Sequence, residues 1–163
     1  MPEIILPIVF LISLFILKIM NKGLQYALSA RIAMATMLVI TGVAHFFYTE
    51  GMALMLPDFI PYKRPIVYAT GIIEIIAAMG MLIPAYQKLT GWLVILFFIL
   101  ILPSNIYSAI QHVNMEAATY DGEGVSYLWF RIPLQLFFIC WVYFSCINQK
   151  PIIVTLNKFS SKR

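Results

Sequence analysis

Five long apolar stretches, separated by short polar or turn-rich segments, dominate the pattern of the chain. A helix needs about 20 mostly apolar residues to cross the ~30 Å hydrocarbon core of a bilayer. We therefore predict membrane-spanning helices over residues 3–20, 31–49, 65–86, 89–112 and 127–148. The first stretch is the shortest of them. The pattern predicts an all-α membrane protein with a single domain.

The composition supports this interpretation. The chain has 163 residues, of which 62% are apolar and only 11% are charged. Soluble domains average about 25% charged residues. So much apolar surface cannot be hidden in a soluble globule of this size, and the composition is also unlike that of disordered chains. A soluble enzyme is excluded on these grounds.

The basic residues indicate an orientation in the membrane. With five spans, 8 of the 11 Lys and Arg residues lie on the side of the C-terminus. Only Lys63 and Arg64 lie on the other side, and Arg131 falls inside a span. Basic residues accumulate on the cytoplasmic side of membrane proteins. We expect the N-terminus outside, the C-terminus in the cytoplasm, and membrane lipids, not nucleic acid, as the partners of the positive charge.

The two longer outer segments differ in character. Residues 50–64 mix large apolar side chains with Pro57 and Pro61, and they predict a lid in the outer interface. Residues 113–126 are acidic and contain two glycines, which is typical of a solvated loop. A metal site in this acidic loop is the less favoured alternative, and no metal is expected.

Five strongly polar residues lie inside the predicted spans and carry the candidate chemistry. They are His45, Glu74, Asn105, Arg131 and Gln135. At 1.5 Å per helical residue, all of them fall in the outer half of the bilayer, about 7–15 Å from the outer helix ends. Polar residues in spans usually point into the protein and mark functional sites. Helical spacing supports one polar face per helix, with Thr41 one turn from His45 and Thr70 one turn from Glu74.

Two interpretations of this set remain open. In the first, the five residues line a polar pocket, open toward the outer leaflet, that binds a quinone, a lipid or another amphiphile, with Glu74 and Arg131 as an ion pair. In the second, they form interhelical hydrogen bonds that only hold the bundle together. Acid–base chemistry by His45 with Glu74 is compatible with the first interpretation. A haem held by His45 and His112 is a less favoured alternative.

Several short motifs resemble the DoxX-like family of small membrane proteins. They are GVAHFF (residues 42–47), LPDFIP (56–61), YATGIIEIIAAMGMLIP (68–84), ILPSNIYSAIQH (101–112) and LWFRIPLQLFFICWVY (128–143). Their order and spacing are similar to the family pattern over residues 31 to about 145. The positions that match this pattern include all five polar residues named above.

The resemblance implies a four-helix transmembrane bundle over residues 29–148. It is preceded by an extra N-terminal transmembrane helix in residues 1–22 and followed by a basic cytoplasmic tail, residues 149–163. It also implies a bacterial cytoplasmic membrane and an accessory or quinone-linked role beside a membrane oxidoreductase, as in thiosulfate:quinone oxidoreductase subunits. Animal relatives imply an alternative, a non-catalytic assembly factor or scaffold for another membrane protein. No intrinsic cofactor is expected, and the expected ligand is a bound quinone or lipid.

Overall fold

The computed structural model describes residues 2–20 and 24–148, and the regular elements within them are helical apart from one isolated bridge. The helices are α1 (Pro2–Ile19), α2 (Tyr26–Phe47), α3 (Thr49–Leu54), α4 (Lys63–Leu82), α5 (Gln87–Ile110) and α6 (Leu128–Val142). A 3₁₀ turn, Gly124–Tyr127, precedes α6, and a π turn, Tyr143–Ile147, follows it. The predicted basic tail, residues 149–163, lies outside the described residues.

Four of the predicted spans are confirmed as helices of sufficient length and hydropathy to cross a membrane. They are Tyr26–Phe47, Lys63–Leu82, Gln87–Ile110 and Gly124–Ile147. The apolar part of α1, Ile4–Ile19, is shorter than these four. Whether α1 spans the bilayer stays a prediction. We call the end of the bundle formed by residues 48–62 and 111–127 the loop end, and the end formed by the α4–α5 turn, residues 83–86, the turn end.

Helices α2 and α4 approach each other closely because glycines meet at their crossing. A Cβ atom on Gly42 would lie 2.8 Å from the carbonyl oxygen of Gly71, and a Cβ atom on Gly71 would lie 2.8 Å from that of Gly42. Small residues allow such contact between membrane helices, where lipid provides no hydrophobic drive for association. The crossing brings the polar stripes of α2 and α4 together.

Two further glycines fix α5 against its neighbours at the turn end. A Cβ atom on Gly80 of α4 would lie 2.5 Å from Oγ1 of Thr90 on α5. On its other side, a Cβ atom on Gly91 would lie 2.8 Å from Cβ of Cys146 in the π turn. Helix α5 is therefore held between α4 and the end of α6.

The first helix packs on the bundle. Leu6 is fully buried in the apolar core, and the hydroxyl group of Ser13 donates to the carbonyl oxygen of Ser29 over 3.4 Å. The ring of Phe10 lies edge-on to Trp141, with centroids 5.2 Å apart, and the indole N–H of Trp141 donates to the Ala30 carbonyl at 2.9 Å. These contacts connect α1 to both α2 and α6.

Buried polar residues occur both near the turn end, at Ser29, Thr90 and Ser145, and in a second group deeper in the bundle. The apolar core lies in the half nearer the turn end and includes Met34, Leu38, Met81, Val94 and Val142. The buried polar residues Glu74, Asn105, Ser108 and Gln135 lie toward the middle and the loop end. Glu74 lies about 16 Å from the loop end of α4 and about 12 Å from its end at Leu82, so it is deeper than the predicted position in the outer half.

The loop end is covered by packed chain. The predicted lid, residues 50–64, contains α3, which packs so tightly on the 113–126 loop that Gly51 has the backbone of Met115 where a Cβ atom would lie. The hydroxyl group of Thr49 donates to the carbonyl oxygen of His45 at 2.7 Å. Arg64 forms an ion pair with Glu50 at 2.9 Å. The 113–126 segment is a loop, as predicted, closed by a bridge between Asn114 and Thr119.

Candidate ligand-binding site

The buried carboxylate of Glu74 is held by α2. The Thr41 hydroxyl donates to Oε2 of Glu74 at 2.6 Å, and Nδ1 of His45 lies 3.9 Å from the same oxygen. Thr41 and His45 are one helical turn apart, so both reach α4 at the glycine crossing. Only 6% of Glu74 is exposed. A buried carboxylate needs partners of this kind, because the cost of removing a bare charge from water is large.

The orientation of His45 follows from its second contact. Its Nδ1 lies 2.8 Å from the carbonyl oxygen of Thr41. A carbonyl oxygen only accepts, so Nδ1 carries the hydrogen in this arrangement. The ring therefore directs its Nδ1–H at the α2 backbone, with Oε2 of Glu74 farther away, at 3.9 Å.

Asn105 and Gln135 form a separate pair between α5 and α6. The Asn105 amide donates to Oε1 of Gln135 at 3.4 Å, and the Gln135 amide donates to the carbonyl oxygen of Phe98. Pro103 lies inside α5 and has no N–H group for the Ile99 carbonyl oxygen, which adjoins the Phe98 carbonyl that Gln135 contacts. This pair therefore acts in holding α5 to α6.

The expected ion pair between Glu74 and Arg131 is wrong. Within the described part of the chain, the ion pair of Glu74 that falls within 4.0 Å is the one with His45. Helix α4 contacts α2 and α5, whereas α6 contacts α5 and α2, so α4 and α6 occupy opposite corners of the bundle. Glu74 consequently finds its partners on the adjacent helix.

An apolar cavity of about 500 Å³ begins at Glu74 and runs between α4 and α5 to the turn end. Of the five predicted binding residues, only Glu74 lines it. The cavity therefore differs from the expected polar pocket, which would open toward the loop end. Its lining is otherwise mostly aliphatic and aromatic and includes Leu38, Ala77, Gly80, Thr90, Leu93 and Phe97.

The histidine and metal alternatives gain no support from the geometry. His112 is exposed, its ring packs on Gly124, and its Nδ1 lies 3.4 Å from the Gly122 carbonyl oxygen, so it organises the loop. In residues 2–20 and 24–148, no group of three or more His, Cys, Asp or Glu side chains is placed to hold a metal ion.

Sequence reasoning missed the residues that shape the cavity. Gly80 and Thr90 bring α4 and α5 together at the turn end, and the Phe98 carbonyl accepts from Gln135. Thr41 was identified only as a mild polar neighbour, although it is the direct hydrogen-bond donor to Glu74. A small residue beside each polar position, Gly42 next to Thr41 and Gly71 near Glu74, was the available signal for a close crossing.

A family model described as "Domain of unknown function (DUF8561)" matches residues 34–146, more than two thirds of the chain. The chain belongs to this family. The residues matched to DUF8561 contain Thr41, His45, Glu74 and the whole cavity lining, whereas α1 precedes them. No curated protein and no solved structure is detectably similar to the chain.

Proposed function

We propose that this protein binds an amphiphile in the cavity between α4 and α5, with the polar head of the ligand at Glu74. One observation carries the proposal. A carboxylate that is only 6% exposed lies at the end of an apolar cavity of about 500 Å³. Ligand sites are typically 300–1,000 Å³, mostly apolar, with a few placed polar groups. The cavity has this size and this distribution of polarity.

The hydrogen bonding of Glu74 supports the same proposal. Its Oε2 accepts from Thr41 and lies beside His45, whereas Oε1 has no hydrogen-bond partner among the described residues. A ligand hydroxyl group would satisfy Oε1, and a ligand carbonyl group would accept from the same carboxyl if it were protonated. Both forms of a quinone head therefore have a partner at this position.

The proposed redox role rests on the family resemblance, and the proposed orientation in the membrane rests on the positions of the basic residues. The DoxX-like motifs favour an accessory, quinone- or lipid-binding subunit of a redox system in a bacterial cytoplasmic membrane. The distribution of Lys and Arg favours a cytoplasmic turn end and an outer loop end. We assign ligand binding to this chain, and electron transfer to an oxidoreductase partner.

Native mass spectrometry of the protein extracted with its membrane lipids tests the proposal. Wild type should retain one small-molecule species that Glu74→Gln loses, because the amide carries no charge and has one acceptor oxygen, which Thr41 contacts, in place of the two of the carboxylate. Glu50→Gln removes a carboxylate from the exposed ion pair at the loop end and serves as the control. Equal retention by wild type and Glu74→Gln would contradict the proposal. A co-purifying protein with no small molecule would favour the scaffold alternative.

A further inference from the structure

We infer that the ligand is a single-chain amphiphile with an uncharged head, and that it reaches the cavity sideways from the leaflet at the turn end. This inference rests on the proposed function and names the ligand class of the same site. It is carried by the position of the cavity opening, by the covered loop end and by the depth of Glu74.

The cavity opens between two helices toward the surroundings of the bundle. Several of its lining side chains are also among the exposed apolar residues of the protein. They are Ile76, Met79, Ile83, Leu89 and Leu93. In a membrane, these side chains lie against lipid chains. A hydrophobic ligand can therefore pass from the bilayer into the cavity between α4 and α5 without crossing water.

The opposite approach, from the loop end, is blocked by backbone contacts. The backbone of Met115 lies against Gly51 of α3, and α3 packs in turn on α4. These contacts cover the polar cluster on the side nearest the aqueous phase. A water-soluble substrate would need this cover to unfold, whereas a membrane-soluble ligand does not.

The depth of Glu74 penalises any charged head, which would lose its hydration there, and the carboxylate excludes an anionic head in particular. Glu74 precedes the end of α4 at Leu82 by eight residues, or about 12 Å along the axis. A phosphate brought to this depth would lose its hydration and would approach a carboxylate at the same time. A hydroxyl or carbonyl head avoids both costs. The cavity volume of about 500 Å³ suits such a head with part of one chain.

Three lipids that carry oleyl-type chains but different heads distinguish an uncharged ligand head from a charged one. They are oleyl alcohol, oleate and dioleoylphosphatidylglycerol, each titrated into delipidated full-length protein in detergent and counted by native mass spectrometry. Ala77→Leu fills the cavity one helical turn from Glu74, and Ala69→Leu places the same change on the exposed surface of α4. Leu93→Trp narrows the opening at its exposed rim without disturbing the core, and the rate at which lipid is taken up, followed over time by the same method, tests the route. Leu100→Trp is its control on the exposed surface of α5.

We expect one bound oleyl alcohol in wild type, in Ala69→Leu and in Leu100→Trp. Ala77→Leu should weaken binding about tenfold and Leu93→Trp should slow uptake about tenfold, because the added side-chain atoms occupy space that the ligand chain needs. Stronger binding of oleate or of the phospholipid, with the same sensitivity to Ala77→Leu and Leu93→Trp, would overturn the uncharged-head inference and leave the proposed function standing. If neither variant changes the binding of any of the three lipids, both the uncharged-head inference and the proposed function are overturned.

Discussion

Replacing Gly71 by valine should push α2 and α4 apart and disconnect Thr41 from Glu74. A Cβ atom at this position would lie 2.8 Å from the Gly42 carbonyl oxygen and 2.8 Å from Cβ of His45. Ordinary van der Waals contact begins at 3.4 Å, so the helices must separate by about 0.6 Å before the two valine methyl groups are accommodated. The Thr41–Glu74 bond, 2.6 Å long, would then leave the range of short charge-assisted hydrogen bonds.

The magnitude follows from three contributions. Overpacking of this kind costs about 1–3 kcal/mol. Weakening one interhelical hydrogen bond in a membrane adds about 0.6 kcal/mol. The better helix propensity of valine relative to glycine returns about 0.4 kcal/mol. The expected net loss in the free energy of unfolding is therefore about 1–3 kcal/mol.

Unfolding by a denaturing detergent in mixed micelles, followed by circular dichroism, measures this loss. Ala69→Val on the exposed surface of the same helix is the matched control, and it should change the free energy of unfolding by less than about 0.5 kcal/mol. If Gly71→Val and Ala69→Val agree within that margin, the glycine crossing does not position the site, and the reasoning is refuted.

Three further predictions concern the rest of the fold. Gln135→Leu should lower the free energy of unfolding by about 1 kcal/mol, because it removes the donor to an α5 carbonyl group near the proline; an unchanged value in the same titration would contradict this. Leu6→Ala should lower the free energy of unfolding by about 1–2 kcal/mol, because it removes packing between α1 and the core. The same change at the exposed Leu11 should have almost no effect. Equal effects of the two substitutions would contradict the packing of α1 on the bundle. At the loop end, the Thr119 hydroxyl bonded to Asp121 holds the pKa of that carboxyl below its usual value. The resulting stabilisation is present above the unfolded-state pKa and is lost as pH falls through the lowered folded-state pKa. Thr119→Val removes the hydrogen bond, so the folded-state pKa of Asp121 should rise and the loss should occur at higher pH. An NMR titration of Asp121 with the same midpoint in both proteins would refute it.

The helices were predictable because hydropathy is a local property of the chain. Apolar runs between polar segments predict residues such as Met34 and Val94 inside helices, and the structure places both in the apolar core. The neighbourhood of Glu74 was predictable in part, since the sequence places His45 in the same set of buried polar residues, whereas Asn105 and Gln135 form a separate pair.

The partner of Glu74 was not predictable in the same way. The opposite charge of Arg131 suggested it as the partner. Hydropathy does not reveal which helices are adjacent in the bundle, and the helix beside α4 is α2, not α6. The cavity could not be predicted from the sequence either. It depends on how Gly80 and Thr90 set the distance between α4 and α5, which is a property of three packed helices.

Photolabelling with a diazirine-bearing long-chain alcohol tests the central claim most directly, because it reports where an amphiphile binds. The protein is labelled in native membranes with and without excess oleyl alcohol, and the modified residues are mapped by peptide mass spectrometry. The account predicts competed labelling on cavity residues such as Ile76, Ile83 and Leu93, and its loss in Glu74→Gln. Labelling spread over lipid-exposed residues such as Leu11 and Leu100, unchanged by the competitor, would contradict the account.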